Sequence, residues 1–243
     1  MPVSSSGHTA LLPQLLGWSY AELDDELRKS FEVALHFGTA AALLIALRHE
    51  VREVLHDFGA RRVVRHALEI LPPAVVAKLW ERPIEQRAGT AFGVAVSQIA
   101  GGIALAAADR RPALRVHGDA GVVDALVIGA GQAAALVPGV SRNGATLTAA
   151  RLRRFDRRSA NRLSRHAALP IIIAATGLKG ARLARRGLPR ELRAPFAVGA
   201  AAAFASTLAS ARLVDVVDSA PSYAPFAAYR VALGAIAAAR TAR

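Results

Sequence analysis

The sequence predicts an all-α fold, a polytopic integral membrane helical bundle assembled from inverted repeats. Three observations predict it. Apolar stretches of bilayer-spanning length recur along the chain, as in residues 31–47, 88–108, 120–137, 194–217 and 223–239. One such stretch leads into Leu136–Thr148, LVPGVSRNGATLT, which sets an arginine, an amide and several hydroxyls among two glycines and a proline. A second copy of that pattern stands at the other end of the chain: Val3-Ser4-Ser5-Ser6-Gly7-His8-Thr9 matches Val140-Ser141-Arg142-Asn143-Gly144-Ala145-Thr146 in the frame V-S-x-x-G-x-T. Paired, interrupted apolar segments in corresponding halves point to a binding site near the bilayer midplane. The chain reads as one membrane domain, 1–243, with halves of about 1–118 and 119–243.

Composition agrees. The 243 residues are 53% hydrophobic with a mean hydropathy of +0.30, against about 45–50% in ordinary soluble domains. There is no cysteine, so disulfides and thiolate metal sites are excluded. The net charge of +13 comes almost wholly from arginines placed between apolar segments. Anionic lipid headgroups fit that placement, and a nucleic-acid partner does not. No cleavable signal peptide is evident. The sequence leaves a homo-oligomer open.

Taken in order, residues 1–18 hold the first motif, with Trp18 and Tyr20 either at headgroup level or packed. Residues 21–30 read as a polar connection whose Asp24, Asp25 and Glu26 suit a solvated loop better than a metal site. In the helix of 31–47, Glu32 and His36 share a face, either towards water or towards the motifs. Residues 48–66 read as a surface loop. Residues 67–80 are a shorter apolar segment broken by Pro72 and Pro73. The small-residue helix of 88–108 permits close packing, and Gln98 in it suits a packing hydrogen bond. Residues 109–118 are polar, and the helix of 120–137 carries Gln132, either structural or reaching the site. The basic run of 149–166, with Arg151, Arg153, Arg154, Arg157, Arg158, Arg162 and Arg165, reads as a solvated or headgroup-facing surface. Residues 167–181 are apolar with a kink expected at Pro170, and a basic loop runs on to Arg193. In the last helix Arg230 either snorkels or makes a second phosphate contact.

The chemistry centres on the paired motif. Polar, glycine-broken backbone at membrane depth is tolerated where it is buried in protein or lines a wet cavity. The fixed fork of Arg142 suits phosphate. His8 in the first copy can move protons near neutral pH. A site made of both copies would hold an anion and do proton chemistry on it.

PVSSSGH near the start and PGVSRNGAT in the middle resemble the two signature motifs of the undecaprenyl-diphosphate phosphatase family, the bacitracin-resistance proteins. Phe31-Glu32-Val33, Ala168-Leu169-Pro170 and Pro225-Phe226-Ala227-Ala228-Tyr229-Arg230 extend the match across the chain. The resemblance implies interlocked inverted repeats with two re-entrant segments, in the bacterial plasma (inner) membrane. It implies removal of the terminal phosphate of undecaprenyl diphosphate, which recycles the lipid carrier of cell-wall synthesis, with a divalent cation, Mg2+ or Ca2+, as cofactor. Matched residue by residue, Ser5 and His8 fall on the family's catalytic serine and histidine. Arg142 falls on its diphosphate-binding arginine. Ser4, Ser141, Asn143 and Thr146 fall on site-lining positions, with Arg230 a further substrate contact. Glu32 falls on a carboxylate position and is a candidate metal ligand. His8 would act as nucleophile or general acid/base, and Ser5 as attacking hydroxyl or positioning donor.

The family's first motif follows a helix bearing two acidic or amide residues four apart. Here Met1 stands where that helix would end, so the main metal ligands are expected upstream of a misplaced start. Asn143 replaces the usual serine, and Arg162, Arg165 and His166 replace Glu, Phe and Leu. Two other functions suit the same residues: a polyprenyl-phosphate transporter, which needs Arg142 but no nucleophile, and an inactive truncated paralogue.

Overall fold

A computed structural model describes residues 1–56, 59–187 and 189–241. Among them no sheet forms, and the helices follow in order. They are α1 (Ser5–Leu16), α2 (Asp25–Ala46), α3 (Arg48–His56), α4 (Ala60–Ala88), α5 (Ala91–Asp109), α6 (Val122–Ala134), α7 (Arg142–Leu152), α8 (Arg157–Arg186), α9 (Arg190–Ala209), α10 (Leu213–Asp218) and α11 (Ala224–Thr241). Glu26–Ala46, Ala91–Asp109 and Arg190–Ala209 are long and apolar enough to cross a membrane, and Val122–Ala134 is a shorter apolar helix. The fold is thus an all-α bundle of membrane type.

The helices gather into two compact units, each drawing on both halves of the sequence. The first comprises Met1–Ala21, Gly59–Ala167 and Val216–Arg243. In it α5 packs along α11, α4 along α6, and α7 against both α5 and α6. The α5–α11 contact runs over small residues, Ala95, Gly102, Ala227 and Gly234, which let two helix backbones approach closely. Leu105, Ile128, Leu147, Phe155, Leu163 and Tyr223 fill a core between these helices. The second unit comprises Glu22–Phe58 and Ala168–Asp215. There α2 packs on α9, and Phe31 meets Phe196 edge-on at 5.3 Å between centroids.

Several sequence expectations change. The polar connection expected over 21–30 is helix from Asp25 onward, and the Asp24 carboxylate caps it, accepting from the N–H groups of Glu26 and Leu27 at 3.0 Å each. Much of the expected loop at 48–66 is helix, in α3 and the start of α4. Its arginines and glutamates favour helix even where mean hydropathy is low.

Pro72 and Pro73 do not break α4, which runs through both. A proline removes the hydrogen bond to the carbonyl four residues back, so these two free the carbonyls of Leu68 and Glu69. Gln132 on α6 donates its side-chain N–H to the Glu69 carbonyl at 3.0 Å. A neighbouring helix therefore re-satisfies the freed group, as prolines inside membrane helices require. Helix α8 likewise continues through Pro170, and α9 begins at Arg190, inside the expected basic loop.

The basic run of 149–166 is for a large part an ion-paired network and not a free surface. Asp109 at the end of α5 pairs with Arg157 at 2.7 Å and with the buried Arg151 at 3.4 Å. Asp124 at the start of α6 pairs with Arg115 and Arg153, both at 2.7 Å. Arg165 pairs with Asp218 at 2.7 Å. Arg151 also donates to the carbonyls of Asp109, Arg111 and Phe155. Burying these cations requires partners, and Asp109 on α5, Asp124 on α6 and Asp218 on α10 supply them.

Candidate active site

Both copies of V-S-x-x-G-x-T start a helix, and they do so with the same geometry. Ser4 caps α1 and Ser141 caps α7, with φ 70° and ψ 101° at the first and φ 69° and ψ 113° at the second. Each serine hydroxyl accepts from the N–H three residues ahead, Gly7 at 3.2 Å and Gly144 at 3.1 Å. In each copy the threonine hydroxyl donates to the carbonyl three residues back, Thr9 to Ser6 at 3.3 Å and Thr146 to Asn143 at 3.1 Å. The matching glycines each lie close under a side chain of another helix. A Cβ on Gly7 would stand 2.8 Å from Nε2 of Gln98, and one on Gly144 would stand 2.5 Å from Nη1 of Arg230. Both helix starts offer first-turn N–H groups and the positive end of the helix dipole, the arrangement that receives anions.

The two copies are tied together. The Gly139 N–H donates to the Ser6 hydroxyl at 3.4 Å, and Ser6 meets the Ser4 hydroxyl at 3.2 Å. Gln98 on α5 donates to the Val3 carbonyl at 3.1 Å and accepts from Nε of Arg230 at 3.2 Å. Arg230 then donates through Nη2 to the carbonyls of Val140 at 2.6 Å and Gly139 at 3.2 Å. Arg230 is 0% exposed. It does not snorkel, because its guanidinium is spent on the interior of the second motif. Its remaining nitrogen, Nη1, is buried against the first turn of α7 and has no hydrogen-bond partner among the described residues.

His8 sits one helical turn past Ser4. Its Nδ1 lies 2.6 Å from the Ser4 carbonyl and its Nε2 lies 2.7 Å from the Tyr229 hydroxyl. A carbonyl only accepts, so Nδ1 carries a proton, and in the neutral form of the ring the lone pair is at Nε2. Ser5 is exposed, and it is not hydrogen-bonded to His8, whose two nitrogens are taken by Ser4 and Tyr229. Arg142 is half-buried in the first turn of α7, and among the described residues it is ion-paired to no carboxylate. Asn143 is held through Ser164, which donates to its side-chain oxygen at 2.7 Å and meets Thr146 at 2.6 Å.

Ser4, Ser5, His8, Ser141, Arg142, Asn143, Thr146 and Arg230 thus all belong to the first unit. Glu32 lies on α2 in the second unit, where His36 bonds to its backbone carbonyl at 2.6 Å. Among the described residues no three His, Asp or Glu side chains form a group fit for a metal. The motif residues supply hydroxyls, an amide and an imidazole but no carboxylate, which is a poor set for a hard divalent cation.

Sequence reasoning passed over Ser6, Ser164 and Tyr229 as site residues and gave Gln98 only a packing role. Ser6 lay inside the quoted motif, and Tyr229 stood next to Arg230. The other two carry no local signal, since their partners are far away in the sequence.

The model of the family described as bacitracin resistance protein BacA matches residues 1–236. Among curated relatives, the undecaprenyl-diphosphatase of Trichlorobacter lovleyi is 35% identical over 249 residues, covering 96% of this chain and 89% of the relative. That of Geobacter sulfurreducens is 37% identical over 248 residues, covering 96% and 90%. That of Campylobacter concisus is 34% identical over 248 residues, covering 97% and 90%. The duplicated capping geometry, the tied motifs and these matches along the whole chain agree: the protein belongs to the bacitracin resistance protein BacA family.

Proposed function

We propose that the protein is an integral-membrane phosphatase that hydrolyses undecaprenyl diphosphate to undecaprenyl phosphate and inorganic phosphate. In a bacterial inner membrane, which it would cross several times, that reaction returns the lipid carrier to peptidoglycan synthesis and supports cell shape and bacitracin resistance. The name of its relatives supports this reading. The observation that carries it is electrostatic. Arg151, Arg153, Arg157 and Arg165 are neutralised by aspartates, whereas Arg142 and Arg230, both at the α7 start, meet no carboxylate among the described residues. Arg142, with the first-turn N–H groups beside it and behind them the Nη1 of Arg230, unpartnered among the described residues, suits a multiply charged anion, and a diphosphate is one.

Overall, water supplies the new P–O bond at the terminal phosphorus and the bond to the bridging oxygen breaks; if His8 or Ser5 attacks first, the P–N or P–O bond it forms is broken by water in a second step. The electron pair leaves with undecaprenyl phosphate. Arg142 binds the diphosphate and offsets the charge that grows on the leaving oxygen. His8, through Nε2, either attacks phosphorus or takes and returns a proton, and Ser5 supplies either the attacking hydroxyl or a donor. The first-turn N–H groups of α1 and α7 are further donors. The residues at the motifs do not fit a divalent cation, and no step is assigned to one.

The test is phosphate release from undecaprenyl diphosphate by the purified protein in detergent, in parallel arms with Mg2+ or Ca2+ and with EDTA. Release by the parent chain, reduced at least about 10²-fold in His8→Ala, is the expected result. A parent that binds the lipid and releases no phosphate in either arm would replace hydrolysis by carrier-lipid transport, which needs Arg142 and no nucleophile, or by the inactive paralogue.

A further inference from the structure

Tyr229 and Arg230 are consecutive on α11, and they reach opposite copies of the motif. Arg230 holds the Gly139 and Val140 carbonyls of the second copy. Tyr229 holds His8 of the first, with its hydroxyl 2.7 Å from Nε2 and its ring stacked on the imidazole at 5.6 Å between centroids and 14° between planes. Successive residues on a helix point about 100° apart, so one short segment serves two motifs that are themselves bonded to each other.

The imidazole has two partners, and together they hold its ring. The Ser4 carbonyl demands a donor, so Nδ1 is protonated. In the neutral form of the ring the phenol then donates to the lone pair at Nε2. Stacking holds the plane of the ring. A histidine that acts through one nitrogen needs the other oriented by a hydrogen bond, and this one is held at both ends. Tyr229 is 45% exposed and Ser5 beside the pair is exposed, so Nε2 lies at the open side of the motif and not in the core.

We propose that Tyr229 is a positioning residue of the phosphatase: its stacked ring and its hydroxyl hold the His8 imidazole in the resting site, in the plane from which Nε2, once the hydroxyl gives way, meets the reacting phosphate. This rests on the phosphatase reading for its consequence in turnover, but the pairing itself can be tested without it. The role is the same whether His8 is nucleophile or acid/base, because both act through Nε2.

Tyr229→Phe keeps the stacked ring and removes the hydroxyl. The expected result is a fall in kcat of roughly 10-fold, the size of one lost hydrogen bond, with KM within about twofold. In a His8→Ala background the same change should cost nothing further, because its target is gone. An unchanged kcat, or an equal loss without His8, overturns the proposal. Should the parent chain not turn over undecaprenyl diphosphate, nitrogen NMR on histidine-labelled protein decides. The chain has seven histidines, and His8 is assigned by its absence in His8→Ala. The expected spectrum shows Nδ1 protonated and Nε2 bare in the parent, with the Nε2 resonance displaced in Tyr229→Phe. Identical His8 signals in the two proteins overturn the proposal whatever the activity.

Discussion

Ser4 and Ser141 hold the same left-handed backbone angle, φ 70° and φ 69°, and each caps the glycine three residues ahead. A side chain at positive φ costs about 1–2 kcal/mol over the right-handed region, and here that cost is met at both copies. The sequence repeat is therefore present at the level of single dihedral angles.

Ser141→Ala should lose the cap and keep the strain, lowering stability by about 1 kcal/mol. Ser141→Gly loses the cap but relaxes the backbone, and it should cost only a few tenths of a kcal/mol. Thermal unfolding in detergent should rank Ser above Gly above Ala. The same order is expected at Ser4.

Arg142→Ala should cut phosphate release by roughly 10²–10³-fold, the effect of removing one fixed charge-stabilising donor. Its elution profile in detergent should stay that of the parent, since no described carboxylate depends on it. Arg142→Lys keeps the charge and loses the fork, and should fall between the two.

Gln98→Leu would leave the Val3 carbonyl and Nε of Arg230 unpaired in the interior. The expected loss is roughly 2–3 kcal/mol, read as a lower unfolding temperature. Phosphate release should fall with it, because Gln98 links the first motif to the arginine that holds the second.

Asp109→Asn would strand the cations of Arg151 and Arg157, the first of them 2% exposed. Breaking a buried pair costs about 3–5 kcal/mol. The exposed Arg158 is the contrast, and Arg158→Ala should change stability by less than about 0.5 kcal/mol. Comparing the two unfolding temperatures checks the claim that the basic run is largely internal.

What was legible in the sequence was local. The V-S-x-x-G-x-T copies are contiguous, and each carries its own cap, glycine and threonine, so the pairing of Ser4 with Ser141 followed from the letters alone. Arg142 stood out because it interrupts apolar sequence. What was hidden depends on distant partners. Arg151, Arg153 and Arg157 read as surface because Asp109 and Asp124 lie in an earlier stretch, at the ends of apolar helices. Pro72 and Pro73 read as a break because the propensity rule is local, whereas Gln132, on another helix, takes up a freed carbonyl. His8 and Tyr229 lie at opposite ends of the chain, so neither period nor spacing could join them.

The internal neutralisation of the arginine run separates two kinds of attraction by their response to ionic strength. Exposed arginines such as Arg158 attract headgroups through solvent, where salt shortens the reach of a charge to about 10 Å at 0.1 M and about 3 Å at 1 M. The guanidinium of Arg230 is wholly enclosed, and mobile ions screen such a charge far less. Salt should therefore loosen the protein's preference for anionic bilayers well before it loosens its grip on a bound anion. Adhesion to the lipid surface and selection of a single lipid would then be independently adjustable properties of one very basic chain.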